Sequence, residues 1–210
     1  MSETRPGRRR RPKRRTGHEI IEAVLEASEG ILADDGLAGF TTKRLAGRAG
    51  VSVGSIYQYF ESKRGVIAEL ARRLERRALS LALERLGARP DADVPTIIST
   101  FVGVLIEGGM GDQRMRRALL LEVPRGWIEE ESAKVDDAVE ATIRGLIEAR
   151  PDAVRQGDAD LMAFIAHHAV EAVVEAAVLR RPDLVARPEF RDELEHLIAR
   201  YVGDGEGRSR

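Results

Sequence analysis

Hydrophobic positions recur at helical spacing along most of this chain, and the first regular stripe starts just after His18. Ile20, Ile21, Val24, Leu25, Ala27, Ser28, Ile31 and Leu32 keep an i, i+3, i+4 rhythm that Gly36 ends, leaving Leu37 and Phe40 to bridge to the next element. Thr41 is a good N-cap for a short helix with Leu45, Ala46 and Ala49 on one apolar face. Gly50 stops that helix, because glycine reaches the left-handed conformation wanted just past a helix end, and Val51 can tuck into the resulting angle. Ser52 caps another short helix in which Val53, Ile56 and Phe60 face inward while Ser55, Tyr57, Gln58 and Tyr59 face out. Ser62 then opens a long helix, Lys63 to about Leu86, with Ile67, Leu70, Leu74, Ala78 and Leu81 on its buried face. At 1.5 Å per residue it spans about 36 Å, enough to leave one domain and enter another.

Beyond a Pro/Gly/Asp loop at 87–93, the stretch from Pro95 to Ile106 is apolar nearly all round, which predicts a helix buried on most sides. The sequence GGMGD at 108–112 breaks it, and a short helix runs through Met115, Leu119 and Leu121 to Pro124. Another begins near Gly126 and Trp127. Its first turn carries Glu129, Glu130 and Glu131, where the macrodipole favours anions, and Val135, Val139, Ile143, Leu146 and Ile147 turn inward. Asp158 or Asp160 caps the next helix, which ends near Arg181, and Pro188 opens the last, which ends near Gly203. The penultimate helix alternates Ala159, Ala163, Ala166, Ala169, Ala172, Ala176 and Ala177 with Val170, Val173, Val174 and Val178. Together with Phe190, Leu194, Leu197 and Tyr201 on the last helix, this surplus of apolar faces predicts burial against a second copy of the chain. The fold class is all-α.

An outward face of hydroxyls, an amide and two phenols is unusual on a short helix. Gln58 can bond an adenine edge bidentately, Ser55, Tyr57 and Tyr59 can bond phosphate or base, and Gly54 lets another backbone approach closely. Two helices joined by a Gly-containing turn can read DNA, the second entering the major groove by its N-terminal end, although ordinary surface helix pairs share that shape. In order and spacing, Thr41, Leu45-Ala46, Ala49-Gly50-Val51-Ser52, Gly54-Ser55-Ile56-Tyr57, Tyr59-Phe60 and Lys63 resemble the DNA-binding signature of TetR-type transcriptional repressors.

That resemblance implies an N-terminal three-helix helix-turn-helix DNA-binding domain, a helical ligand-binding and dimerisation domain behind it, and release of DNA when a small molecule binds. It also implies a dimer formed by the last two long helices. Carried over residue by residue, it puts Thr41 at the phosphate-contacting start of the first reading helix, with Lys43 and Arg44 beside it. Ser52, Val53, Gly54 and Ser55 fall on the groove-entering end, Tyr57, Gln58 and Tyr59 on phosphates and base edges, and Lys63 on a flanking phosphate. Arg44 departs from the pattern, since many relatives carry an acid there that completes a capping box with the threonine. An arginine can instead add a contact to DNA. The expected organisation is a basic arm at 1–15, the reading domain at 16–62, a linking helix at 63–86, the ligand-binding and dimerisation domain at 87–203 and a flexible tail at 204–210.

Charge adds one feature that the helical pattern does not show. The net charge of −1 hides eight arginines and lysines against Glu3 alone in residues 1–15, leaving −8 on the remainder. A basic arm on an acidic body points to a polyanion, here double-stranded DNA, and two prolines and a glycine predict that the arm lacks fixed structure without it. Composition is that of a soluble helical protein, 43% hydrophobic and 4% aromatic, and the absence of cysteine excludes disulfides and thiolate sites. No apolar run approaches the length of a membrane span and no apolar segment follows the basic N-terminus, so a cytoplasmic protein without membrane contact is expected.

Other chemistry is sparse. No G-x-S-x-G, Walker-type loop or dinucleotide fingerprint is read in the chain, so neither an enzyme nor a cofactor is expected. His167, His168 and Glu171 have a spacing able to hold a metal but no evident further ligand, and hydrogen-bonded histidines at an interface or pocket wall are the plainer reading. The lone Trp127 is either a core aromatic or part of a cavity wall with Phe101, Leu105, Met115 and Leu119. Such a wall would suit a largely hydrophobic small-molecule effector. A ligand-independent or architectural DNA-binding protein would share the arm and reading helix but lack a usable cavity.

Overall fold

A computed structural model of the protein describes residues 16–89, 91–110 and 113–203. The expected basic arm, the 204–210 tail, and parts of the loops expected at 87–93 and 108–112 lie outside the described residues. Among those described there are ten α-helices and no strand, only an isolated bridge between Val154 and Gly203.

Helix α1 (Gly17–Gly39) starts at a capping box, in which the Thr16 hydroxyl accepts from Glu19 N–H at 3.3 Å and the Glu19 carboxylate accepts from Thr16 N–H at 2.6 Å. Its regular part ends at Gly36, whose φ of 62° and ψ of −165° strain any residue with a side chain. The Leu37 N–H released by that kink donates to Glu122 Oε2 at 2.7 Å. Helices α2 (Thr42–Ala49) and α3 (Val53–Tyr57) follow, then α4 (Lys63–Gly87), capped by Ser62. The first core lies between them: Val24, Leu25, Ile31, Leu32, Phe40, Leu45, Ile56, Ile67 and Leu70 are all buried.

The second half comprises α5 (Val94–Met110), α6 (Gln113–Leu121), a 3-10 turn at Arg125–Trp127, α7 (Glu129–Glu148), α8 (Ala159–Arg180), the unanticipated single turn α9 (Pro182–Val185) and α10 (Pro188–Val202). Asp158, rather than Asp160, caps α8. Val102 and Ile106 of α5 meet Met162, Val170 and Val174 of α8 and Ile198 and Val202 of α10 in a second core. Helix α6 faces mainly the other way, with Leu120 packed on this second core. Its Ala118, with Val123 just beyond, is buried in the first core, and Met115 and Leu119 pack on the same cluster.

Three expectations need correction. On α4 the buried face is Val66, Ile67, Leu70, Ala71 and Ala82, with Leu81 only half-buried, so the face turns with the 3.6-residue period away from the Leu74 to Leu81 line. On α8, Ala163, Ala166, Val170, Val174, Ala177 and Val178 are buried in the chain's own core, as is Leu194 of α10. What α8 leaves exposed is the stripe of Leu161, Phe164, Ile165, Ala172, Val173 and Ala176, beside Leu197 of α10. Finally, α8 taken whole is long and apolar enough to cross a membrane, although Glu171 and Glu175 interrupt its apolar run; 44% of that window is buried inside the protein.

Candidate nucleic-acid interface and apolar cavity

The turn between α2 and α3 is built by its caps. The Thr41 hydroxyl accepts from Arg44 N–H at 3.3 Å, and Gly50, at φ 64° and ψ 37°, closes α2 while Val51 N–H donates back to the Ala46 carbonyl at 3.0 Å. The Ser52 hydroxyl accepts from Ser55 N–H at 3.0 Å and exchanges a hydrogen bond with the Ser55 hydroxyl at 2.8 Å. The expected absence of G-x-S-x-G does not hold, since Gly50-Val51-Ser52-Val53-Gly54 spells it, but Ser52 sits between two helices with its hydroxyl used as a cap and not on a strand-to-helix elbow.

Ile56 and Phe60 anchor α3 in the first core, as expected, but Val53 is 40% exposed and belongs to the outer face. Helix α3 closes at Tyr57, so Gln58 stands at its C-cap rather than within it. Tyr57 and Tyr59 are 54% and 42% exposed, and the Tyr57 hydroxyl reaches Thr42 Oγ1 at 3.4 Å, tying the two reading helices together. A side chain at Gly54 would meet nothing nearer than Ser52 Oγ at 3.8 Å, so the fold itself does not demand glycine there.

Two of the basic residues differ from expectation. Arg44 forms an ion pair with Asp35 of α1, which gives the charge that replaces the usual capping acid a partner within the domain. Lys63 turns inward: its Nζ donates to the Leu37 carbonyl at 3.1 Å and lies 5.6 Å from the centre of the Phe40 ring, and burial lowers its pKa. Lys63 therefore fastens the start of α4 to the end of α1 instead of standing free for a phosphate. Lys43 is exposed on α2.

Helices α4, α5, α7, α8 and α10 line a cavity of about 140 Å³. Phe101 and Leu105 line it, as does the inward face of α7. Met115, Leu119 and Trp127 do not; they pack on the first core, because the apolar side of α6 and of the 3-10 turn lies against α1 and α4. Polar residues complete the wall: Glu75 of α4, Asp136 of α7, and His167 and Glu171 of α8. Glu75 Oε1 accepts from the Ser132 hydroxyl at 2.7 Å, whereas its Oε2 is buried without a hydrogen-bond partner. Burial above all, with Asp136 and Glu171 nearby, pushes the Glu75 carboxyl up to about 7.

The matches with known families follow the division between reading turn and helical body. Residues 24–70 match the profile of the bacterial regulatory proteins of the tetR family, and residues 93–201 match the tetracyclin repressor-like C-terminal domain, about half of the chain by itself. The chain belongs to the TetR family. That family is one of DNA-binding transcription regulators, not of enzymes.

Among TetR-family relatives, the regulator EthR of Mycobacterium tuberculosis is 35% identical over 101 residues, 48% of this chain and 46% of that protein. BetI of Klebsiella pneumoniae is 32% identical over 85 residues, 40% of this chain and 42% of that protein. The chain thus matches less than half the length of these curated relatives. Solved TetR-family structures share the fold across nearly the whole chain. A regulator from Shewanella superposes with a TM-score of 0.67 at 17% identity, covering 90% of this chain and all of that one. NalD, the secondary repressor of the MexAB-OprM multidrug efflux pump in Pseudomonas aeruginosa, gives 0.66 at 15%, covering 91% and 99%.

His167 and His168 of this TetR-family chain are both engaged. His167 Nε2 lies 3.1 Å from Asp136 Oδ1, and His168 lies 3.1 Å from Glu140 and 3.3 Å from Glu171. His167 is buried in the cavity wall, as the plainer reading expected, and one ligand atom from each of His167, His168 and Glu171 comes within 4.8 Å of the others. Neither Asp136 nor Glu140 stands out in sequence as a partner, because both read as solvated charges on an acidic helix.

Proposed function

We propose that this protein is a cytoplasmic homodimeric repressor that holds a near-palindromic operator and leaves it when a small, largely apolar effector enters the cavity. The cavity carries this reading. A ligand-independent DNA-binding protein has no need of an apolar cavity, and α4 runs from that space to the reading turn. Glu75, Ala78, Leu79 and Ala82 of α4 line the cavity, and its first turn is tied to the reading unit through Lys63 and to the 3-10 turn through Arg64, which donates to the Gly126 carbonyl at 2.6 Å.

Helix α6 gives a second link, since its apolar side belongs to the first core while Arg117 donates to the Leu179 carbonyl of α8 at 2.8 Å. An effector that prefers one tilt of α4 and α6 changes the separation of the two reading units in a dimer, and half-sites spaced by about one turn of DNA no longer fit both. The exposed α8 stripe, with Leu197, is the proposed dimer face. In the reading unit, Thr41, Lys43, Arg44, Ser52, Tyr57 and Tyr59 serve phosphates, and Val53, Gly54, Ser55 and Gln58 serve the groove.

The test is to select an operator from random duplex DNA, screen a compound library for stabilisation of the full chain, and titrate each hit into the operator complex. Hits that stabilise the protein should weaken DNA binding, and Gln58→Ala should lose about 1 to 3 kcal/mol on the operator but little on scrambled DNA. Stabilising hits that all leave the complex intact would favour the ligand-independent alternative.

A further inference from the structure

One end of the cavity has more negative charge than the protein itself balances. Its body is aliphatic, with Leu79, Ile98, Val102, Ile143 and Val170 on the wall, but Glu75, Asp136 and Glu171 converge at one end from three helices. Behind them stand Glu140, bonded to His168, and Glu175, held above the ordinary carboxylate range by burial and by Glu171. The cations facing this group are Arg116 of α6, whose pKa is lowered by burial and whose Nε is buried without a hydrogen-bond partner, Arg125 of the 3-10 turn, whose charge reaches Glu175, and the histidine pair of α8. Five carboxylates thus meet two guanidiniums and two imidazoles.

The hydrogen-bond accounting leads to the same place. Asp136 is used by His167, Glu171 by His168, and one oxygen of Glu75 by Ser132; the other oxygen of Glu75 is buried and unmet. A buried acceptor without a donor is costly, and more so if it is charged. An apolar ligand would leave that oxygen as it stands, and an anion would add to the repulsion. A primary ammonium supplies both the missing charge and up to three donors.

We propose that the cavity selects an amphipathic cation, its apolar body among the aliphatic side chains and its ammonium head against Glu75. This rests on reading the cavity as the effector site. At about 140 Å³ the space is close to that of cavities of roughly 150 Å³ that take benzene, so the body is a single ring or a short branched chain. The cation stabilises the ionised form of Glu75, so binding expels the proton that this carboxyl otherwise carries in part near neutrality.

The experiment titrates three probes with one body and different heads into the full chain by calorimetry: 3-phenylpropylamine, 3-phenylpropan-1-ol and 3-phenylpropanoate. The amine should bind at least about tenfold tighter than the alcohol, and the carboxylate weakest. Between about pH 6 and pH 8 the affinity for the amine should rise while that for the alcohol stays level, since an alkylammonium remains protonated to about pH 10. The groups facing Glu75 in that titration are Ser132 and Asp136 of α7, Glu171 of α8 and Arg116 of α6, with His167 of α8 bonded to Asp136 in the same wall.

Glu75→Gln should abolish both the preference and its pH dependence; the pH series on the unaltered protein decides the matter if that variant does not fold. Equal or tighter binding of the alcohol, a preference that survives Glu75→Gln, or no binding of the amine at millimolar concentration overturns the proposal. Operator release is measured separately. Tight amine binding without release defeats the effector reading and leaves the cation site standing, whereas release by the alcohol alone does the reverse.

Discussion

Around α1 to α4 the apolar side chains fill the space between the helices, with Val24, Ile31, Ile67 and Leu70 wholly out of water, whereas around α5, α7 and α8 the same kinds of residue line a cavity. Polar groups are placed differently too. In the reading unit they sit outside or at helix ends, as Thr41, Ser52 and Ser62 do, each meeting a backbone N–H; in the second half Glu75, Asp136 and Glu171 are brought to the inside wall. A filled core holds a surface in one shape. A hollow one with an unsatisfied acid has free energy to gain from a guest, and that difference is what a ligand-controlled regulator requires.

The comparison breaks most plainly under truncation. Phe40→Ala should cost about 3 to 5 kcal/mol, because the ring is buried among α1, α2 and α4 with no space to collapse into. Phe101→Ala, which only enlarges a space already present beside a half-buried ring, should cost no more than about half of that. Chemical denaturation of both variants measures the contrast; equal losses would mean that the second core is packed as tightly as the first.

The same contrast explains how much could be read from sequence. The reading unit depends on neighbours three to eight residues apart, so Thr41, Gly50, Ser52 and Ile56 announce their roles through caps and period, and only Val53, Arg44 and Lys63 take partners or exposures that the pattern does not give. The cavity depends on which of two cores a face joins. Periodicity makes Met115, Leu119 and Trp127 inward-facing but cannot say inward to what, and they join the first core. Glu75 left a faint signal, standing in line with Ala71, Ala78 and Ala82 on one stripe of α4, where a lone acid among alanines marks a buried polar site.

A smaller effect separates the halves by pH. The folded-state pKa of Glu75, about 7, lies above the ordinary glutamate value near 4.5, so the folded chain holds a proton there that the unfolded chain has lost. The protein is therefore destabilised progressively as pH rises from about 4.5 to 7, and Glu75→Gln should remove that decline. One pKa unit corresponds to about 1.4 kcal/mol, and water reaching this partly buried group reduces the net, so the variant should gain on the order of 1 kcal/mol at pH 8 relative to pH 5. Melting curves of both proteins across that range measure it; parallel pH profiles would place the Glu75 carboxyl in an ordinary solvated setting.

The smallest change in stability should carry the sharpest change in function. Gly54 has no positive φ and no neighbour that a methyl group would strike, the nearest atom being 3.8 Å away, so nothing inside the protein explains a glycine in α3. Glycine in a helix is worth roughly 0.5 to 1 kcal/mol less than alanine, and Gly54→Ala should therefore leave the fold as stable as before or raise it by about 0.5 kcal/mol. If the backbone at this end of α3 comes close to DNA, as proposed, the added methyl group occupies space that the DNA needs. Operator affinity should then fall by about 1 to 3 kcal/mol, as for a lost base contact, while cavity binding of the amine probe stays unchanged. Measuring stability, operator affinity and probe affinity on the one variant separates the two halves of the molecule by a single methyl group. A Gly54→Ala protein that binds its operator as tightly as the unaltered chain would show that this end of α3 keeps its distance from the groove.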